Sequence, residues 1–132
     1  MAWRSYELDR RAQKLVLDAK QRDPDSLNQA YKMRMTTAYG LERFWGEHLR
    51  LQGHHGTQAK ATFWRETWTA LVEIMRQAGI TVPNDQVQPN NTTSIRNMAQ
   101  RLWSLSLDDQ RVTLAVLTQL CDAIVWWTQR YK

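Results

Sequence analysis

Apolar side chains recur along this chain at intervals of three and four, and no stretch alternates apolar with polar residues for long enough to make a strand, so the pattern predicts an all-α protein. Leu8, Ala12, Leu15 and Ala19 form the stripe of a first helix over about Trp3–Gln21. Asp23-Pro24 ends it and opens the next as an N-cap followed by proline, whose missing N–H costs nothing at the first helical position. The second predicted helix is long, about Pro24–Gln52, because Leu27, Tyr31, Ala38, Leu41, Trp45 and Leu49 fall in one sector at about 100° per residue. Gly40 and Gly46 each weaken a helix interior by about 1 kcal/mol relative to alanine. Either the helix breaks near Tyr39-Gly40 or a neighbour comes close to its backbone.

Gly53-His54-His55-Gly56 reads as a turn, and Thr57 or Gln58 opens a third helix with Ala61, Trp64, Trp68, Leu71, Val72 and Met75 along one side. Gly79 stops it, with Ile80 as the apolar contact of a glycine C-cap and Pro83 barring resumption. Thr81–Thr92, rich in asparagine and proline, is expected to be a polar connector and the segment most prone to disorder. A short fourth helix over Thr93–Leu105 presents Ile95, Met98, Ala99, Leu102 and Trp103. Ser106 with Asp109 three residues on resembles a capping box and opens the last helix, Leu107–Tyr131. That helix is apolar on nearly every face, so it is expected to lie buried at the centre of a bundle, its charges at Asp108, Asp109, Arg111 and Asp122 arguing against a membrane. Together these elements predict one domain over residues 1–132, a bundle of about five helices around a buried carboxy-terminal helix.

Charge narrows the choice of partner. Lysine and arginine number 18 against 13 acids, and arginine, whose guanidinium fork matches phosphate and carboxylate, outnumbers lysine, so a polyanion is the favoured partner. No apolar run approaches the ~20 residues needed to cross a bilayer, and no membrane is expected. The single cysteine, Cys121, cannot form an internal disulfide and sits in the apolar last helix, which suits packing and a reducing cytoplasm. The sequons at Asn90 and Asn91 read as accidental, because Met1-Ala2-Trp3-Arg4-Ser5-Tyr6-Glu7 is charged where a signal peptide has its apolar core.

Candidate catalytic chemistry is thin. Asp23, Asp25, Asp108 and Asp109 all fall at predicted helix starts, where capping accounts for them. His48, His54 and His55 lack thiols or carboxylates at zinc spacing and are assigned to a solvated turn, so neither a metal nor a cofactor is expected. With no nucleophile elbow, phosphate-cradling glycine loop or dinucleotide fingerprint, the chain reads as nonenzymatic, without a small-molecule substrate. Trp45, Trp64, Trp68, Trp103 and Trp127 lie on apolar stripes and are expected in the core, whereas Trp3 and Trp126 are free to anchor an interface.

What remains is a basic sector: Lys32, Arg43 and Arg50, with Tyr39 among them, nearly opposite the apolar stripe of the second helix. Charge opposite an apolar stripe is what any surface helix shows. This sector is mostly positive rather than mixed, and an aromatic ring among cations suits a phosphate backbone with unstacked bases. Lys32, Arg34, Tyr39, Arg43 and Arg50 are therefore the candidate nucleic-acid contacts, with Arg65, Arg96 and Arg101 elsewhere.

Three places resemble a known family. Arg11-Ala12, then Tyr31-Lys32, Gly40-Leu41 and Phe44, are similar to the amino-terminal half of the small helical subunit of type III CRISPR effector complexes, particularly the Cmr type. Leu117-Thr118, Asp122-Ala123 and Trp127-Thr128-Gln129-Arg130-Tyr131 resemble that family's last helix, which ends in a Trp-Leu-Lys-Arg-Phe-like run. Tyr39 stands where asparagine often precedes the Gly-Leu pair, and residues 54–105 carry no matching motif. The resemblance implies a nonenzymatic subunit that stacks with copies of itself in a ribonucleoprotein and helps hold guide RNA and target nucleic acid, with Lys32 of the Tyr-Lys pair at the backbone. Small subunits of type I effector complexes are also short basic helical bundles, so they remain an alternative. So does a helical adaptor or regulator whose basic face meets an acidic protein. A duplex DNA reader is disfavoured, because the helix following Leu105-Ser106 is too apolar to enter a groove.

Overall fold

The computed structural model describes the backbone of residues 2–132 and the side chains of residues 7–132. Its described residues form an all-α bundle of six α-helices: α1 (Ala2–Arg22), α2 (Gln29–Thr36), α3 (Leu41–Gln52), α4 (Gln58–Gln77), α5 (Thr92–Trp103) and α6 (Leu107–Tyr131), with 3-10 turns at Pro24–Asn28 and Thr37–Tyr39. Trp3 lies outside the described side chains.

The stripes of α1 and α4 pack as their spacing dictates. Leu8, Ala12, Leu15 and Ala19 are buried where α1 lies against α6 and α4. On α4, Ala61, Trp64, Trp68, Leu71, Val72 and Met75 are all buried, mostly against α3. There the Phe44 ring meets Trp64 at 4.8 Å and Trp68 at 6.3 Å between centroids, inside the range of favourable aromatic pairing. Each indole nitrogen buried with them finds an acceptor, Trp64 Nε1 on Gln29 Oε1 at 2.9 Å and Trp68 Nε1 on the Pro83 carbonyl at 3.1 Å. Gly79, at φ +84°, ends α4. Its N–H donates to the Arg76 carbonyl and that of Ile80 to Met75, the paired bonds of a Schellman cap.

One open choice is decided and two expectations are corrected. Of the two outcomes its glycines allowed, the second predicted helix takes the break: Gly40, at φ +98°, follows a 3-10 turn and separates α2 from α3. The break shifts the helical phase, so α2 buries Ala30 and Met33 and leaves Tyr31 exposed, and Ala38 beyond it is exposed too. The connector after Gly79 is packed: Val82 and Pro83 are buried, Trp68 donates to Pro83, and Arg101 of α5 pairs with Asp85. The last helix is not enclosed on every face. Thr113, Leu117, Leu120, Cys121, Ile124 and Thr128 make one buried stripe, while Leu107, Val112 and Trp126 face outward.

Side-chain bonds fix α6 against its neighbours along that stripe. Lys20 donates to the Tyr131 carbonyl and Gln13 to the Tyr131 hydroxyl, tying α1 to its end. Arg34 reaches Asp122, and Lys132 reaches Asn28, so α2 runs antiparallel to α6. Among the described residues no helix is long and apolar enough to cross a membrane.

Candidate nucleic-acid interface

The break at Gly40 decides what the basic residues can do. Arg43, Glu47 and Arg50 follow one another on α3 at helical spacing, which puts them on one face. Lys32 joins them from α2, its Nζ 2.9 Å from Glu47 Oε2. Arg50 grips the same carboxylate with two nitrogens, Nε to Oε1 at 2.7 Å and Nη2 to Oε2 at 2.8 Å. Glu47 is thus the hub of a three-residue knot. The bond from Arg50, with that from Lys32 behind it, holds its carboxyl below the usual carboxylate range against the opposing effect of burial. In turn Glu47 raises the Arg50 guanidinium.

Of the five candidate contacts, four gather at the α2–α3 corner. Lys32 and Arg50 are both half exposed and share Glu47. Arg43 sits over the ring of Tyr39, 5.5 Å from its centroid, the arrangement of a cation–π contact. Arg34 is separate: it pairs with Asp122 of α6 at 2.5 Å and contacts the Thr37 hydroxyl, which accounts for it as a tie between α2 and α6. Arg101 is likewise paired with Asp85, while Arg65 and Arg96 are exposed elsewhere.

Beside Tyr39 and Arg43 opens a cleft of about 290 Å³, walled on one side by the start of α3 and on the other by the corner between α5 and α6. Its far lip is Trp103. That ring was expected in the core, yet it is 63% exposed, because α5 packs mainly on α3 and ends just after it. Gln110 stiffens this lip by donating to the carbonyls of Trp103 and Leu105. Gly40 supplies no side-chain oxygen to cap α3, so the first-turn N–H groups add their partial positive charge to the near wall.

The histidines divide. His54 and His55 lie exposed on the predicted turn, but His48 is buried, its Nδ1–H donating to the Trp45 carbonyl at 2.5 Å. Burial lowers its pKa, and the nearby Arg65 charge adds to the effect. Among the described residues no group of three or more histidine, cysteine or acidic side chains is placed to hold a metal. Cys121 is fully buried, and desolvation pushes its thiol well above the ordinary range.

Glu47 and Trp103 are the residues that reading the sequence missed. The first had a signal, since it lies three residues before Arg50 and four after Arg43; the second had none, since Trp103 continues the α5 stripe. No protein-family model, curated protein or solved structure matches the chain.

Proposed function

We propose that this chain is a nonenzymatic helical subunit of an RNA-guided CRISPR effector complex of the type III, Cmr-like kind, acting in the cytoplasm. It touches guide or target strands through the α2–α3 corner and stacks with copies of itself and other subunits. The observation that supports the contact is that Lys32 and Arg50 share the one carboxylate of Glu47 while Arg43 stands one turn before it on the same face of α3, which leaves that face net positive. Phosphate neutralisation by such a face is independent of base sequence and falls with salt. The resemblance at Tyr31-Lys32, Gly40-Leu41 and the closing aromatic run supports the assembly. Tyr31 and Met35 on α2 and Trp126 on α6 are exposed large apolar side chains suited to a neighbouring subunit.

The experiment is purification of the tagged chain from its own cells, with sequencing of co-purified RNA. Guide RNAs with repeat-derived ends are the expected result. Recovery of one acidic protein and no RNA would replace this reading with that of an adaptor.

A further inference from the structure

We infer that the cleft between Tyr39 and Trp103 is a slot for one unpaired base of a single-stranded nucleic acid whose phosphates lie on the α3 cations. The inference rests on the nucleic-acid reading above and adds to it the part of the strand that enters.

Two aromatic rings on opposite lips of one cleft, 68% and 63% exposed, are costly to leave in water unless something covers them. A base does so through its π face, whatever its identity. Leu114, partly buried, lines the cleft and supplies apolar surface for the ring, over the buried Leu102 at its floor. Its volume, about 290 Å³, lies at the small end of the range for ligand sites, and a protein interface needs ~800 Å² on each partner. Charge separates base from phosphate. Glu42 lines the cleft beside Arg43, so the slot itself is close to neutral and a phosphate inside it would meet a carboxylate. A base is uncharged, and its ring or amino N–H groups can donate to that carboxylate. The phosphates belong outside, where Arg43 leads along α3 to Arg50 and to Lys32 beside it on α2. Gln110, bonded to the Trp103 and Leu105 carbonyls, ties down the backbone of that lip, so the indole has only its own rotamers to order when the ring arrives.

The test compares a fluorescein-labelled uridine oligomer with an abasic ribose-phosphate oligomer of equal length, both binding the full chain at low salt. The uridine oligomer should bind about 5- to 100-fold more tightly. Trp103→Ala should remove that advantage and leave abasic binding unchanged, with Trp103→Phe restoring most of it. Tryptophan quenching by the uridine oligomer should shrink in Trp103→Phe. Equal binding of the two oligomers, or an advantage that survives Trp103→Ala, overturns the slot while leaving phosphate contact standing. Failure of both oligomers to bind overturns the nucleic-acid reading and the slot with it. A Trp103→Ala protein that binds both oligomers as the parent does but loses self-association in sedimentation reassigns the cleft to protein contact.

Discussion

Glu47→Gln tests the basic corner most directly, because one carboxylate restrains two of its three cations. Its side chain is 14% exposed, whereas those of Lys32 and Arg50 are about half exposed, so the knot lies at the edge of solvent. Exposed pairs contribute ~0.2–1 kcal/mol each, and the amide keeps the volume and one acceptor, so the variant should lose only about 1 kcal/mol of stability. Nucleic-acid binding should move the other way. The substitution raises the net charge from +5 to +6, since 18 bases then face 12 acids, and it frees Lys32 and Arg50 for phosphates. The one positive charge gained on that face corresponds to about one more phosphate neutralised, which on a single strand steepens the plot of log K against log salt by ~0.7. Between 200 and 50 mM salt the ratio of variant to parent affinity should then grow roughly 2.6-fold. Fluorescence anisotropy with a uridine oligomer at four salt concentrations reads this slope, with circular dichroism to verify the fold. Arg43→Gln should shallow the parent slope by ~0.7. A Glu47→Gln slope equal to the parent's, in a folded protein, would remove Lys32 and Arg50 from the interface.

The other predictions concern the scaffold. Gly79→Ala should cost about 1 kcal/mol, or roughly 3–6 °C in thermal midpoint, because φ is +84° and an added Cβ meets nothing within 4 Å, so the penalty is conformational; Gly46→Ala, inside α3 and equally unobstructed, should gain up to ~1 kcal/mol, and equal shifts in the two melts would contradict this assignment. Because His48 has a folded pKa below its unfolded value, the unfolded chain binds more protons as pH falls below about 6.5, and stability should decline from there toward the folded pKa. Urea unfolding at pH 5 and pH 7 should show that decline shrinking in His48→Asn, and an undiminished slope would assign it to other groups. Cys121, with its thiol buried and its pKa raised, should resist a thiol reagent at pH 8 in the native protein and react to one equivalent in denaturant; rapid native labelling would show that α6 opens.

How far the sequence disclosed this structure depends on where the chain keeps its helical phase. Within α1 and α4 the spacing of apolar residues located the buried face, and Asp23, Gly79 and Ser106 each act as the end signals their chemistry implies. Extrapolating one sector across Gly40 failed, because the 3-10 turn Thr37–Tyr39 and a positive φ rotate α2 against α3. The same extrapolation put Tyr31 and Ala38 inside and overlooked Met33. On α6 the apolar residues are numerous, but burial needs a neighbour on each face, and α1 and α2 cover mainly one side. Trp103 follows the same rule: its position four residues after Ala99 continues a stripe, yet α5 runs past what α3 can cover. The basic sector survived the error for a local reason. Arg43 and Arg50 both lie on α3, where periodicity holds, and Lys32 is brought to them by Glu47 rather than by a shared helix. The break that defeated the periodic reading is therefore what shapes the candidate site, since it sets Tyr39 and Arg43 on one wall of a cleft whose other wall begins sixty residues later at the α5–α6 corner.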